Sequence, residues 1–263
     1  NFRDVLNALD MYPGDAGPLG GECAGEVVAV GPDVFDFAPG DAVIAIAPGS
    51  FSTFVTTRAA LAVAKPQGLS DAAAATLLSA YMTAYHALYQ LGRLAAGERV
   101  LIHAAAGGVG MAAVRLAQQA GAEIFATAGS PEKRAFLRSL GVAHVFDSRS
   151  LAFAGEIMAV TGGAGVEVAL NSLADDFVPQ TLSVLAANGR FLEIGKRGIW
   201  TPPQVAAVKP QAEYHVIDLA AKASAEPAAI RQILRELMAL FADGALPPGS
   251  RFNALRRSEG SRQ

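Results

Sequence analysis

The chain has 263 residues, and its net charge of −3 excludes the basic electrostatic footprint of a nucleic-acid-binding protein. Hydrophobic residues make up 52% of it, enough for a sizeable core, yet no apolar run reaches the length of a membrane span. A single cysteine, Cys23, excludes an internal disulfide and a multi-cysteine zinc site, so we expect a cytoplasmic protein that contacts no membrane.

Residues 20–63 predict a small, barrel-like β domain. Three short β-rich runs, separated by Gly, Pro and Asp, carry this pattern: "GECAGEVVAVG", "DAVIAIA" and "FSTFVTT". The composition then changes, and Ser70 and Asp71 are N-cap choices for a helix through "AAAATLLSAYMTAYHAL". We therefore predict a β-rich domain with its linking helix over residues 1–95.

From residue 98 to 219 the pattern alternates between strands and helices. The predicted strands are short apolar runs: "RVLIHAA", "AEIFATA", "HVFD", "VEVALNS" and "RFLEIG". Helical periods of about ten to fifteen residues separate them. Such alternation predicts an α/β fold with a parallel, doubly wound sheet of the Rossmann type, which we place at residues 96–222. A last helix, "EPAAIRQILRELMALFADG", lies in the remaining segment, 223–263, and connects back towards the first domain.

A glycine-rich loop joins the first of these strands to its helix. In "AAAGGVG", Gly107, Gly108, Val109 and Gly110 lie where backbone N–H groups and the helix dipole meet the pyrophosphate of a dinucleotide. The spacing departs from strict G-x-G-x-x-G, and a plain tight turn would use the same glycines. The strand before it, the helix after it and the further alternation favour dinucleotide binding.

The end of the second strand indicates which dinucleotide is bound. NAD sites usually place an acidic residue there for the ribose 2′-hydroxyl, whereas this chain has Ala128 and Ser130, followed by Lys133 and Arg134. A hydroxyl and two cations can receive a 2′-phosphate, so the pattern predicts NADPH as the cofactor. The alternative is an ordinary solvated helix face, which the nearby Glu132 keeps open.

Several segments together resemble the enoyl reductase domains of polyketide and fatty acid synthases, within the medium-chain dehydrogenase/reductase superfamily. The most specific are "NFRDVL", "HVFDSRS", "LNSLA" and "EIGKR", and the resemblance spans roughly residues 1–245. It implies a GroES-like substrate domain and NADPH-dependent reduction of an enoyl thioester on acyl carrier protein, with other synthase domains as neighbours. Family domains extend further at both ends, so we expect this substrate domain to be partial.

The implied reaction needs a group that stabilises an enolate. Hydride delivered to Cβ leaves negative charge over Cα and the thioester oxygen, and Cα then takes up a proton. Lys196 directly follows "RFLEIG", at the edge where doubly wound sheets bind ligands, and Asp218 follows in "YHVIDL". The resemblance implies that these two form a catalytic lysine–aspartate pair. A solvated loop cation and a helix N-cap are the simpler alternatives.

The resemblance implies further site residues. Tyr12, in "DMYPG", is a second candidate proton donor whose family position relates to the stereochemistry of protonation at Cα; the alternative is an aromatic plug beside a turn. Four polar residues match family positions near the nicotinamide or its ribose: Asn1, Thr83, Asn171 and Ser172. Each of them could instead serve a turn or a helix cap.

The same superfamily contains zinc alcohol dehydrogenases, which resemble this chain around "GGECAGEV". Their catalytic zinc needs a histidine beside the glutamate, where this chain has Gly21, and the four histidines show no ligand-like spacing. We therefore predict that no metal is bound.

Two other functions share much of this pattern. A stand-alone NADPH quinone or enone reductase would carry the same glycine loop, but it gives no reason for "EIGKR" and "YHVIDL" to occur together. An inactive, truncated NADPH-binding domain is the alternative of another class, and the intact Lys196, Asp218 and Tyr12 argue against it.

Overall fold

The computed structural model of the protein describes residues 2–12, 14–15, 17–244 and 246. They form two compact units. One is built from the chain up to Met82 together with the part from Ala220 onward, and the other is Thr83–Leu219. The domain limits predicted from the sequence, after residues 95 and 222, stay a prediction.

The first unit contains a three-stranded antiparallel sheet. Its first elements in chain order are helix α1 (Phe2–Ala8) and strands β1 (Glu22–Glu26), β2 (Ala42–Ile46) and β3 (Ala62–Ala64). In the sheet register, Cys23 lies opposite Ala45, and Ile44 lies opposite Val63. The β-rich character predicted for this part of the chain is confirmed.

The prediction of a strand at "FSTFVTT" is wrong. Residues 51–57 follow an irregular path, and the third strand is β3, entered by a 3₁₀ turn at Ala59–Leu61. Ser52 contributes to this difference, because its hydroxyl lies 2.7 Å from the Gly49 carbonyl oxygen and 2.9 Å from the Phe54 carbonyl oxygen. A local side-chain bond of this kind folds the segment back on itself in competition with a sheet ladder.

The helix predicted after Ser70 is present but broken. Ser70 caps α2 (Asp71–Ala74) by accepting the Ala73 N–H at 3.3 Å. The N–H groups of residues 76 and 77 then bond back by three residues, which ends that helical turn before α3 (Leu78–Tyr85) begins. A π-helical turn, His86–Leu91, continues from α3.

The second unit contains a six-stranded sheet in which every neighbouring pair of strands is parallel. Its strands are β4 (Arg99–Ile102), β5 (Glu123–Ala128), β6 (His144–Asp147), β7 (Val166–Asn171), β8 (Leu185–Glu193) and β9 (Glu213–Val216). Their order is β6-β5-β4-β7-β8-β9, the doubly wound Rossmann arrangement, so this prediction is confirmed. The order reverses between β4 and β7, and ligands of such sheets bind at the carboxyl ends of the strands near that point.

Helices connect these strands and cover the sheet. They are α4 (Gly108–Gln119), α5 (Pro131–Ser139), α6 (Phe153–Val160), α7 (Phe177–Val184) and α8 (Pro202–Val208). The core joins buried strand residues such as Phe125 and Phe191 to buried helix residues such as Ile157 and Leu182. Each such side chain contributes about 1.5–3 kcal/mol when fully buried. This packing gives the carboxyl edge of the sheet a rigid support.

Two helices complete the described chain: α9 (Leu219–Ala225) and α10 (Pro227–Ala242). α10 buries Ile230, Ile233, Leu234 and Leu237, the spacing of one helix face. Within the first unit it packs on β3 and on the 3₁₀ turn before that strand. Across the described ranges, no helix combines the length and apolar character that crossing a membrane requires.

Candidate active site

The glycine-rich loop lies between the carboxyl end of β4 and helix α4, beside the point where the strand order reverses. Gly107 is the N-cap of α4, and no described side chain caps this helix, so the N–H groups of its first turn remain for a ligand. An added Cβ at Gly108 would meet no described atom within 4 Å, whereas one at Gly110 would lie 2.5 Å from the Ala104 carbonyl oxygen. Gly110 therefore permits close packing on the strand end, and Gly108 leaves the approach to the loop open.

His103, the residue after β4, supports this loop from the core. Its Nδ1 lies 3.0 Å from Thr127 Oγ1, and its Nε2 lies 2.8 Å from Thr181 Oγ1. Thr181 donates its hydroxyl to the Phe177 carbonyl, so it accepts from Nε2–H, and Nδ1 accepts from Thr127. Thr127 Oγ1 in turn lies 3.3 Å from the N–H of Ala104, whose φ is +48°. Burial lowers the pKa of His103 to about 3, which keeps the ring neutral.

The predicted 2′-phosphate site lies at the carboxyl end of β5. Ser130 is the N-cap of α5 and accepts the Lys133 N–H at 3.3 Å, and the Lys133 side chain is half-buried. Arg134 instead donates to the Ala128 carbonyl at 3.0 Å and pairs with the Asp147 carboxylate at 3.1 Å. Arg134 thus binds residues of β5 and β6, and Lys133 remains as the predicted cation for the 2′-phosphate.

Reasoning from the sequence missed Arg149 at the same place. Its Nε lies 3.1 Å from the position that a Cβ on Gly129 would take, so this side chain covers the chain between β5 and α5. Arg149 comes two residues after β6, and β6 is the parallel neighbour of β5, so the carboxyl ends of both strands meet here. The sequence held a signal for Arg149 in "HVFDSRS". This arginine follows the third strand of the alternating pattern, and a Rossmann order places the third strand beside the second.

The structure brings Lys196 and Asp218 together. Lys196 Nζ lies 3.0 Å from Asp218 Oδ2 and 3.4 Å from the Ile217 carbonyl oxygen. The side chains are 34% and 50% exposed, so the pair can face a ligand while it holds its own geometry. It joins the loop after β8 to the residues after β9, and its catalytic role stays a prediction.

A buried carboxyl group that the sequence reasoning missed lies three residues before Lys196. Glu193 ends β8, is 1% exposed, and accepts hydrogen bonds from Asn171 Nδ2 at 2.7 Å and from the Gly195 N–H at 2.6 Å. Burial raises the pKa of Glu193, although both hydrogen bonds and the Lys196 charge act in the opposite direction. Its signal in the sequence is a glutamate inside the otherwise apolar run "FLEIG".

Asn171 and Ser172 lie at the end of the neighbouring strand, β7. Asn171 is fully buried; it donates to the Leu173 carbonyl and to Glu193, and accepts the Leu173 N–H at 3.2 Å. The hydroxyl of Ser172 is buried and has no hydrogen-bond partner among the described residues. Because such a group costs about 1–3 kcal/mol, the Ser172 hydroxyl is an atom that a ligand at this edge would satisfy.

The remaining predicted site residues lie elsewhere along the chain. Thr83 is half-buried in α3. In the first unit, Tyr12 is half-buried, and the guanidinium carbon of Arg3 lies 5.5 Å from its ring centroid, within the range of a cation–π contact. Asn1 lies outside the described residues. The roles of all three stay predictions.

The described residues do not fit a zinc site. In the part of the chain that the structure describes, no three His, Cys, Asp or Glu side chains come together as a possible ligand set. Glu22 accepts the Ser79 N–H at 2.8 Å. Cys23 lies in β1, where burial and the Glu22 charge raise the pKa of its thiol, opposite to what a zinc-bound thiolate needs.

Comparison with known proteins identifies the family. A family described as zinc-binding dehydrogenase matches residues 108–239. One chain of the phenolphthiocerol/phthiocerol polyketide synthase of Mycobacterium tuberculosis is 47% identical over 251 residues, which cover 94% of this chain. The crystal structure of the CurK enoyl reductase is 43% identical, with a TM-score of 0.89, and the match covers 98% of this chain and 84% of that one. The chain belongs to the enoyl reductase domains of polyketide synthases.

This enoyl reductase domain spans 12% of the length of that mycobacterial synthase chain. A more distant relative is a mycobacterial protein, Rv1454c, solved in complex with NADPH. It is 25% identical, with a TM-score of 0.83, and the match covers 99% of this chain and 85% of that one. The predicted family and fold are therefore confirmed, and the family's description as zinc-binding does not extend to a ligand set among the described residues.

Proposed function

We propose that this enoyl reductase domain reduces the α,β double bond of an enoyl thioester carried on acyl carrier protein, with NADPH as the hydride source. The observation that carries the proposal is the Lys196–Asp218 ion pair at the carboxyl ends of β8 and β9, on a sheet of Rossmann order. The similarity to a mycobacterial polyketide synthase and to the CurK enoyl reductase supports it.

The residues along the sheet edge fit NADPH. Gly108 leaves open space before the first turn of α4, and the buried Ser172 hydroxyl needs a partner that the described protein does not supply. Lys133 and Arg149 lie at the end of β5, where a 2′-phosphate would be held by charge-assisted hydrogen bonds. The NADPH-bound relative supports the same choice. When bound, NADPH supplies the hydride that reaches Cβ.

Lys196 is the group that stabilises the resulting negative charge. An ammonium near the thioester oxygen lowers the energy of the enolate, and this stabilisation grows as charge develops in the transition state. Asp218, 3.0 Å from Nζ, holds the ammonium in one orientation without covering it, because both side chains remain partly exposed. The proton for Cα comes from Lys196 Nζ or from the Tyr12 hydroxyl, both of which can donate to a carbanion-like carbon.

The proposed partners follow from the same relatives. The domain matches a small part of a long synthase chain, so its substrate is delivered by a carrier domain and its neighbours are other catalytic domains of such a chain. The thioester link to acyl carrier protein belongs to this proposal.

A turnover assay tests the proposed function. The purified protein is mixed with crotonyl-pantetheine and NADPH, and we expect butyryl-pantetheine in an amount equal to the NADPH consumed. Lys196→Met should slow this reaction, whereas Lys209→Met, after α8, should leave it unchanged. Reduction of a quinone with no reduction of the thioester would replace the proposal by a quinone reductase. NADPH binding without turnover of either would favour a domain that only binds NADPH.

A further inference from the structure

Glu193 is a buried carboxyl group for which packing alone gives no reason. The two residues before it in the strand, Phe191 and Leu192, are apolar and fully buried in the sheet. Burying a carboxylate is costly unless hydrogen bonds or charges compensate, so an apolar residue would stabilise this position more simply. A role beyond stability explains why a carboxyl group is present.

The contacts of Glu193 connect two loops at the carboxyl edge of the sheet. One oxygen, Oε2, accepts from Asn171 Nδ2 at 2.7 Å, and the other, Oε1, accepts from the Gly195 N–H at 2.6 Å. The Asn171 side chain holds the loop after β7, because its Nδ2 donates to the Leu173 carbonyl and its Oδ1 accepts the Leu173 N–H. The carboxyl group therefore ties the loop that begins at Ser172 to the loop that carries Lys196.

Gly195 is the residue that makes this arrangement possible. A Cβ at Gly195 would lie 2.6 Å from Glu193 Oε1, so any larger residue would push the carboxyl group away from its place. The next residue is Lys196, whose Nζ is fixed at its far end by Asp218 at 3.0 Å. The Glu193 contact thus holds the residue directly before Lys196, and Asp218 holds the Lys196 ammonium.

We propose that Glu193 is a positioning residue, which latches the loop after β7 to the loop after β8 and thereby fixes Lys196 for the reaction. This inference rests on the proposed function, because it assigns Lys196 the enolate-stabilising role. Hydrogen bonds to a charged group are among the stronger ones in proteins, and small displacements of a catalytic group reduce rates steeply. Loss of the latch should therefore appear mainly in turnover.

Glu193→Gln is the first test. The amide keeps the volume and one acceptor oxygen for Gly195, but its NH₂ group would face the Asn171 NH₂ group, so one of the two contacts is lost. We expect kcat with crotonyl-pantetheine to fall about tenfold to a hundredfold and KM to change less. The matched control is Glu167→Gln, which removes a half-buried carboxylate that accepts the Arg99 N–H at 2.7 Å at the opposite end of β7. It should leave kcat unchanged.

A double-mutant cycle separates positioning from general stability. If Glu193 acts through Lys196, then Lys196→Ala combined with Glu193→Gln should be no slower than Lys196→Ala alone. Multiplicative losses in the double variant would overturn the proposal, and so would wild-type kcat in Glu193→Gln.

Backbone hydrogen exchange tests the latch independently of turnover. The Gly195–Lys196 segment should exchange faster in Glu193→Gln and also in Gly195→Ala, which keeps the carboxyl group but displaces it. Glu167→Gln and Gly155→Ala, whose added Cβ meets no described atom within 4 Å, should exchange as wild type does there. Unchanged exchange in both Glu193→Gln and Gly195→Ala would overturn the latch. A wild-type protein that reduces no enoyl thioester would instead remove the proposed function, and the exchange result would still decide whether the latch exists.

Discussion

Both edges of the parallel sheet hold ion pairs, among them Lys196–Asp218 at the carboxyl edge, but they differ in the polar groups that they bury. At the amino-terminal edge, side chains from the strand starts and adjoining loops form ion pairs, Arg99 with Glu167, Arg190 with Glu98 and Arg93 with Glu213, and His144 Nε2 lies 3.0 Å from Glu123 Oε1. At the carboxyl edge, Glu193 is buried with an amide and a backbone N–H as partners, and the Ser172 hydroxyl has no partner among the described residues.

This difference shows where the fold keeps groups that lower the stability of the protein alone. Paired charges at the amino-terminal edge satisfy one another and need no ligand. The carboxyl edge retains a buried carboxyl group, an unsatisfied hydroxyl and a left-handed φ at Ala104, each of which is unfavourable in the protein alone. Such exceptions concentrate where function requires them, so the carboxyl edge is the place to perturb catalysis.

The largest expected effect comes from removing both proposed proton donors. Lys196→Ala combined with Tyr12→Phe should lower kcat by about 10²–10⁴-fold, the usual value of general acid catalysis, and each single change should cost less because the other acid remains. NADPH consumption with crotonyl-pantetheine measures this. Glu167→Gln, at the amino-terminal edge, serves as the control. Single and double variants of equal rate would show that the two residues do not substitute for one another.

Cofactor choice is the next largest effect. NADPH should bind at least about tenfold more tightly than NADH, because charge-assisted hydrogen bonds to a 2′-phosphate contribute at least this much. Lys133→Glu and Arg149→Glu should each weaken NADPH selectively. Fluorescence titration measures both affinities. Lys209→Glu reverses a charge near the start of the connection into β9 and should change neither. Equal affinity for the two cofactors in the wild type would contradict the assignment of the 2′-phosphate site.

Acid should destabilise the carboxyl edge through His103. Burial lowers its pKa from 6.5 to about 3, so between these values the unfolded chain binds a proton that the folded protein does not. This contribution to stability is complete above pH 6.5 and is lost as pH falls towards about 3, at up to about 1.4 kcal/mol per pH unit. Urea unfolding at several pH values should give a steeper loss for wild type than for His103→Gln. Parallel pH dependences would show that the ring becomes protonated within the folded protein.

The smallest expected effect is that of metal removal. Chelators should leave both turnover and the melting temperature unchanged, since the described residues form no zinc ligand set. Elemental analysis of the purified protein provides the check. One zinc ion per chain would show that zinc ligands lie outside the residues that the structure describes.

Much of the second unit could be predicted from the sequence, because its signals are local. The strand runs and the glycine loop each depend on residues close together in the chain, and they appear where predicted. The prediction of a strand at residues 51–57 was wrong for a local reason as well. A β-rich composition does not show that the Ser52 hydroxyl bonds to carbonyl groups on both sides of that residue.

Residues that act across strands could be predicted only in part. Arg149 and Glu193 escaped notice because each is defined by a neighbour from another strand: Gly129 in the first case, Asn171 in the second. Lys196 and Asp218 were paired through family resemblance, and spacing alone would not have paired them.

By itself, the sequence determined the alternation of strands and helices in the second unit, the dinucleotide loop and the family, since periodicity, capping and motif residues are properties of short segments. Only the tertiary structure decided that Arg134 turns to the sheet while Arg149 covers Gly129, and that Glu193 joins two loops. The physical reason is that these contacts depend on which strands become neighbours, and the packing of the whole sheet sets that choice.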